Sequence, residues 1–242
     1  MTAAETYSAC SKYYDAIYHW KDYRAESERL HALLQAEGVP DGARLLEAAC
    51  GTGTHLSHLR RWYRPSGFDG SPSMLEQARA KLPPEIELWL ADMASFSVAA
   101  PYPALLCLFS SIGYLHGEAL LSAAARCFAQ ALGPGGILIL EPWLRQEAFV
   151  AGSATLHTYS GEDLKLSRLG ISRKEGELSV VDLHWLVAER GAAEVQHHVE
   201  HHELWMCPTE TLLSVFSAAG FDVRFEPNGL MKDRGLLIGR RR

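Results

Sequence analysis

The sequence has no apolar run approaching the ~20 residues that cross a bilayer, so no membrane-spanning segment is expected. It has no excess of positive charge. Its 23 Lys and Arg stand against 29 Asp and Glu, a formal net charge of −6 that offers no general field for a nucleic-acid backbone. It has no C-x-x-C pair: Cys10, Cys50, Cys107, Cys127 and Cys207 are scattered and read as reduced packing residues, not as a disulfide framework. Internal repeats and low-complexity tracts are absent as well, which excludes solenoids and long linkers. With a polar start at Met1-Thr2-Ala3-Ala4, the expectation is a soluble, cytoplasmic monomer or homodimer. Its partner would be a small-molecule substrate, with no nucleic acid and no membrane.

What is present is enough apolar material, 48% of 242 residues, for one substantial core and an elaboration on it. The most informative stretch is Leu45-Leu46-Glu47-Ala48-Ala49-Cys50-Gly51-Thr52-Gly53-Thr54-His55-Leu56. An apolar run, a carboxylate, two glycines one residue apart and a helix-compatible segment read as strand, tight turn and helix. Glycines let a ligand lie against bare backbone at such a turn. The third glycine of a dinucleotide fingerprint is missing, because its position is Leu56. Glu47 beside the turn would repel a pyrophosphate and attract an ammonium, which argues against a nicotinamide-dependent oxidoreductase.

Around this turn the chain alternates strands and helices. Asp22 to Gly38 reads as a helix, and a second follows the glycine turn to about Trp62. Gly67-Phe68-Asp69 is a short strand whose terminal carboxylate is placed to hold ribose hydroxyls. Ser71 caps the next helix with Pro72 at its first position, and Met74 on that helix can touch an adenosine. After a strand at Ile86–Leu90, Asp92 can accept from an adenine amino group while Met93 covers the ring. Ala104–Phe109 is a strand buried on both faces, Glu118–Leu132 a helix and Ile137–Leu140 a fifth strand. The rhythm then changes to four hairpin-like segments, Ala154–Ser160, Leu164–Arg173, Leu178–Ala188 and Val195–Met206. Thr209 caps a last helix, followed by strands at Phe221–Phe225 and Gly235–Gly239.

The expected fold class is α/β: a Rossmann-like sheet with helices on both faces, plus an inserted antiparallel sheet roofing the active site. Residues 1–40, with Tyr7, Tyr13, Tyr14, Tyr18, Trp20 and Tyr23, form a helical lid; 41–145 and 208–242 form the α/β domain; 146–207 form the insert.

The segment Glu47-Ala48-Ala49-Cys50-Gly51-Thr52-Gly53-Thr54 resembles motif I of the class I S-adenosylmethionine (SAM)-dependent methyltransferases. Phe109-Ser110-Ser111-Ile112-Gly113, Leu132-Gly133-Pro134-Gly135-Gly136, Glu141-Pro142-Trp143, His184-Trp185, His197-His198-Val199-Glu200-His201 and Arg234-Gly235-Leu236 look like one subgroup, the N,N-dimethyltransferases of nucleotide-linked amino sugars. The resemblance spans nearly the whole chain and includes the insert. It implies SAM as cofactor and methyl transfer to a sugar amine as the reaction. The alternatives are another small amine, an amino acid or a hydroxyl as acceptor, or an inert SAM-binding protein.

On this resemblance Tyr14 and Tyr114 stand at the reacting end. Tyr14, Tyr23, Glu47, Ala49, Gly51, Gly53, Asp69, Met74, Asp92, Met93, Phe109 and Ser110 hold the cofactor. Ser111, Tyr114, Trp143, Arg168, His184 and Arg234 hold the substrate, with Arg145 a further candidate for its diphosphate or base. The subgroup carries a histidine directly after Ser-Ser-Ile-Gly; here that position is Tyr114, with His116 two residues on. No metal site is expected at His197, His198, His201 and His202, because neighbours on a strand point to opposite faces.

Overall fold

Strands that are apolar at every position have to be covered on both faces. In the computed structural model, which describes residues 10–242, that demand is met by a sheet between two helical layers. The strands in chain order are β1 (Arg44–Ala48), β2 (Arg64–Asp69), β3 (Leu88–Leu90), β4 (Tyr102–Cys107), β5 (Leu132–Leu140), β6 (Ala154–Ser160), β7 (Leu164–Glu175), β8 (Leu178–Glu189), β9 (Gln196–Trp205), β10 (Phe221–Glu226) and β11 (Leu236–Arg241). The helices are α1 (Tyr14–Ile17), α2 (Tyr23–Ala36), α3 (Thr54–Leu59), α4 (Pro72–Lys81), α5 (Glu118–Ala131) and α6 (Thr209–Ala218). Tyr7 and the first nine positions of the expected lid lie outside the described residues.

The main sheet has seven strands in the order β10-β11-β5-β4-β1-β2-β3. The pairs β1–β2, β2–β3, β1–β4 and β4–β5 are parallel, and β11 runs antiparallel to both β5 and β10. Strand alternation divides the core. Leu46, Leu105, Leu138 and Leu140 meet Phe128 of α5 and Phe216 of α6 on one face, while Leu45, Leu106, Ile137 and Ile139 meet Leu30 and Leu34 of α2 on the other. Local signals start these helices where the sequence places them: Asp22 accepts from the Ala25 N–H at 2.9 Å, and Ser71 from the Met74 N–H at 3.4 Å. Thr209 differs from expectation, since it is the first helical residue and Pro208 holds the cap position.

The crevice lies where strand order reverses, at the carboxyl ends of β1 and β4. Over it sits the second sheet, four antiparallel strands in the order β6-β7-β8-β9. Its inner face packs Leu166, Trp185 and Val187 against Tyr13 and Ile17, so the N-terminal segment closes one side of the roof. The same segment is fixed to the glycine turn. Asp15 accepts from Thr52 Oγ1 and from Lys81 Nζ, each at 2.6 Å. The outer face leaves Leu156, Leu169, Leu186 and Val199 exposed. Among the described residues no helix is long and apolar enough to cross a membrane.

Because Phe128 is fully buried between the sheet and α6, Phe128→Ala is expected to lower unfolding free energy in urea by about 3–5 kcal/mol. Leu169→Ala, on the exposed face of the roof, is expected to change it by no more than about 0.5 kcal/mol.

Candidate active site

Between the glycine turn, the end of β4, the N-terminal segment and the inner face of the roof is a cavity of about 730 Å³. Its floor is shaped by backbone that only small residues tolerate. Ala49, Gly51 and Gly53 have φ of +55°, +56° and +73°, left-handed positions at alternate residues. The two glycines differ in purpose. A Cβ on Gly51 would meet nothing within 4 Å, whereas one on Gly53 would lie 2.5 Å from Leu82 Cδ1. Gly51 therefore leaves room for a ligand on the cavity wall. Gly53, expected at the cofactor, does not line the cavity; its missing side chain lets α4 and the residue after it pack closely.

Asp69, at the end of β2, accepts from the backbone N–H of Gly51 and of Ser71, each at 2.8 Å. Burial raises its carboxyl above the usual range, and these backbone bonds oppose the rise. Each oxygen retains a lone pair for a hydroxyl. Met74, Asp92 and Met93 also line the cavity, with Asp92 Oδ1 accepting from the Ala94 N–H at 2.7 Å. Tyr14 and Tyr23 close this end from the N-terminal side, and burial pushes the Tyr23 phenol up.

Glu47 is 2% exposed and lines the cavity floor. Its Oε1 lies 3.5 Å from His55 Nδ1, and its Oε2 has no protein partner. On the other side of the ring, His55 Nε2 lies 2.8 Å from Glu26 Oε2, and Glu26 pairs in turn with the buried Lys21. Burial alone would lower the imidazole's affinity for a proton, but Glu26 and Glu47 outweigh it and hold His55 above its ordinary value. Burial would likewise raise Glu26, and His55 with Lys21 brings it below its ordinary value. This chain of alternating charge was not read from the sequence, because Glu26 and His55 are 29 residues apart.

At the end of β4, Phe109 and Ser110 are consecutive non-glycine residues with φ of +52° and +67°. Such backbone persists only where its surroundings over-determine it. Here Glu141, fully buried, accepts from the Phe109 N–H at 2.9 Å and from the Met231 N–H at 3.0 Å. Ser110 Oγ donates to the Pro142 carbonyl at 2.8 Å, so its hydroxyl serves the turn although the residue lines the cavity. Ser111 Oγ similarly donates to the Leu108 carbonyl at 3.1 Å.

Two buried guanidiniums also line the cavity. Arg234 lies 4.7 Å from the Trp143 ring and 5.1 Å from Phe109; Phe109 lies 5.1 Å from Tyr18; Arg168 lies 4.6 Å from Tyr18 and 5.2 Å from Trp185. The result is a ladder of alternating rings and guanidiniums. Arg168 and Arg234 are only 6% and 8% exposed, and Arg168 Nε, Arg234 Nη1 and Trp143 Nε1 have no hydrogen-bond partner in the protein. Burial holds the Arg234 guanidinium below its ordinary range. Tyr114 and His116 line the cavity as well; Tyr114 Oη is 2.7 Å from His202 Nδ1, and His116 Nε2 is 3.0 Å from the Glu203 carbonyl oxygen.

Two expected substrate residues are elsewhere. On β8 the side chains of Ser179, Val181 and Leu183 reach the cavity, so His184 points to the outer face, where it stacks on His197 at 5.3 Å. Arg145 is outside the lining and pairs with Glu147 at 3.3 Å. Among the described residues no group of three His, Cys, Asp or Glu is arranged to hold a metal ion. A smaller cavity of about 290 Å³ at the amino ends of β4 and β5 offers no comparable charge, since its Glu37 and Arg240 pair with each other at 2.8 Å.

A family profile described as "Methyltransferase domain" matches residues 45–136, the span from β1 into β5. The chain is 37% identical over 231 residues to dTDP-3-amino-3,6-dideoxy-alpha-D-glucopyranose N,N-dimethyltransferase of Streptomyces fradiae, covering 93% of this chain and 88% of that one. The chain belongs to the SAM-dependent methyltransferases. Among solved structures, this methyltransferase superposes on DesVI of Streptomyces venezuelae with a TM-score of 0.88 and 31% identity, covering 100% of this chain and 99% of that one. A SAM-bound amino pentose methyltransferase from Micromonospora echinaspora gives 0.84 and 31%, covering 95% and 96%.

The cavity of this methyltransferase fits its cofactor. Gly51 leaves bare backbone facing open space, Glu47 offers an orphaned carboxylate oxygen to an ammonium, and a negative charge at the turn suits a ligand that carries no phosphate.

The Glu26–His55–Glu47 chain sets a pH dependence. The folded-state value of His55 is raised, so its contribution is complete below the free imidazole value of about 6.5 and is lost as pH rises through the folded value. Glu26, held below its ordinary value, contributes above about 4.5 and is lost as pH falls through its folded value. Melting temperature is therefore expected to fall more steeply above about pH 6.5 in the unaltered protein than in His55→Gln. Parallel curves for the two proteins would remove the charged chain as their cause.

Proposed function

We propose that this methyltransferase methylates the amine of a nucleotide-linked amino sugar, twice in succession. The observation that carries this reading is the charge lining the cavity: a carboxylate at the glycine turn with one unpartnered oxygen, and two buried guanidiniums that carry unpartnered nitrogens and form no salt bridge among the described residues. A ligand pair with an ammonium at one end and a diphosphate at the other neutralises both, and guanidinium forks suit phosphate oxygens. The relatives' own substrates, dTDP-linked amino sugars, have that anatomy.

In this reading residues 1–40 are the lid, 41–145 and 208–242 hold the cofactor, and 146–207 roof the acceptor. Bound SAM supplies a methyl carbon activated by its sulfonium. Glu47 takes the cofactor's ammonium, Asp69 its ribose hydroxyls, and Met74, Asp92 and Met93 its adenine. Tyr14 lies at the reacting end. Arg168, Arg234 and Trp143 hold the nucleotide, and the aromatic lid and roof exclude water, so that proximity and orientation supply most of the rate. Free Cys10, Cys50, Cys107, Cys127 and Cys207 suit work in the reducing cytoplasm.

Mass spectrometry with SAM and a panel of acceptors tests the substrate. Gains of one and then two methyl groups are expected on a nucleotide-linked amino sugar, and none on the free sugar, amino acids or phenols. In Arg168→Ala, KM for that substrate is expected to rise about tenfold or more, with SAM affinity unchanged. Turnover of a free amino acid or phenol with none on the sugar nucleotide would contradict the reading.

A further inference from the structure

Tyr114 leaves the end of β4 on a single turn of 3-10 helix, Ser111–Tyr114, and reaches the roof. Its phenolic oxygen lies 2.7 Å from Nδ1 of His202 on β9. His202 is 5% exposed, and its Nε2 lies 3.6 Å from Glu200 Oε2. Glu200 is 4% exposed and accepts from Trp185 Nε1 at 2.8 Å. Residues 200 and 202 share the inner face because strand neighbours alternate, so the phenol, imidazole and carboxylate form one line running from the cavity wall into the roof. A carboxylate on the Nε2 side favours the tautomer with its hydrogen there, leaving Nδ1 to accept from the phenol.

A phenol is a poor proton acceptor by itself, because its own hydrogen needs somewhere to go. Here that place exists. We propose that Tyr114, His202 and Glu200 form a proton relay for the acceptor amine, in which Tyr114 touches the nitrogen and His202 and Glu200 are positioning residues acting through it. The inference rests on the reading of the acceptor as an amine. The nitrogen lone pair forms the new N–C bond as the C–S bond breaks, with that bond's electron pair staying on sulfur. The methylated nitrogen then holds one proton in excess. That proton passes to Tyr114 Oη as the phenolic proton passes to His202 Nδ1, so the tyrosine stays neutral and the imidazolium rests against Glu200. Solvent takes the proton between turnovers. A second methylation needs the lone pair exposed again, so the relay acts after the first transfer as well as the second.

Other groups around this line complete its electrostatics. Arg168 on β7 stacks on Trp185. Cys10, whose thiol burial and Glu200 push up to about 12, faces the carboxylate from the N-terminal segment. Beside it, His116 lines the cavity and lies 4.0 Å from Glu203, and His201, of the opposite strand parity, pairs with Asp182 at 2.6 Å.

The test pairs catalysis with a readout that needs no turnover. His202→Asn retains a polar group near the phenol but takes up no proton. Its kcat is expected to fall about 100-fold, with KM for the nucleotide-linked amine and SAM affinity unchanged. Tyr114→Phe should fall comparably, and the double variant no further than either single one. In the ligand-free protein, nitrogen-15 NMR of the imidazoles should show the His202 Nδ1 resonance moving in Tyr114→Phe. His202→Gln serves where the asparagine variant does not fold. An unchanged kcat in the folded His202 variants, additive losses, or a His202 resonance indifferent to Tyr114→Phe would each overturn the relay while unaltered-protein turnover still supports the amine. Absence of turnover by the unaltered protein on every nucleotide-linked amine would instead overturn the substrate reading and the relay's task with it.

Discussion

A guanidinium keeps its charge in almost any surroundings, and a buried one requires either a protein acid or an anionic ligand. Arg168 on the roof and Arg234 before β11 are buried in the cavity wall, each against aromatic rings, and the polar atoms Arg168 Nε and Arg234 Nη1 have no hydrogen-bond partner in the protein. The rings supply cation–π attraction, about 0.5–2 kcal/mol each, without quenching the charge. The protein thus presents to the cavity two guanidiniums whose unpartnered nitrogens are available to its contents. Glu47 sets the opposite condition at the glycine turn, where His55 satisfies one oxygen and leaves the other.

Holding groups of both charges in one cavity wall requires a fixed frame, and the N-terminal segment provides the coupling. Asp15 binds it to Thr52 and Lys81 at the floor, while Tyr13 and Ile17 bury it against Leu166, Trp185 and Val187 of the roof. Glu141 performs the corresponding task on the other side. It holds the strained Phe109 backbone and the Met231 backbone with its two oxygens, so the turn after β4 and the loop before β11 move as one. Phe109 is in turn the ring between Tyr18 and Arg234, which links that buried carboxylate to the cationic ladder.

The α/β sheet and its roof were legible because their signals are local. Apolar runs marked β1 and β4, Asp22 and Ser71 marked helix starts, and period-two alternation with glycine turns marked β6–β9 within two residues of their ends. The glycine turn was legible as a turn, though the packing duty of Gly53 against Leu82 depends on where α4 folds back. Strand parity explains His184: the sequence shows a strand but not which face meets the cavity, and one step of parity sends the ring outward. What the sequence withheld are partnerships across distance. Tyr114 and His202 are 88 residues apart, and Phe109 and Glu141 are 32.

The most direct measurement is calorimetric titration of thymidine diphosphate, without any sugar, into the protein loaded with S-adenosylhomocysteine. Saturable binding is expected, weakening with salt as charge pairing requires and lost to a large degree in Arg168→Ala. No binding of the nucleotide at any ionic strength, in a protein that still methylates its acceptor, would contradict an anionic handle as the partner of the two buried guanidiniums.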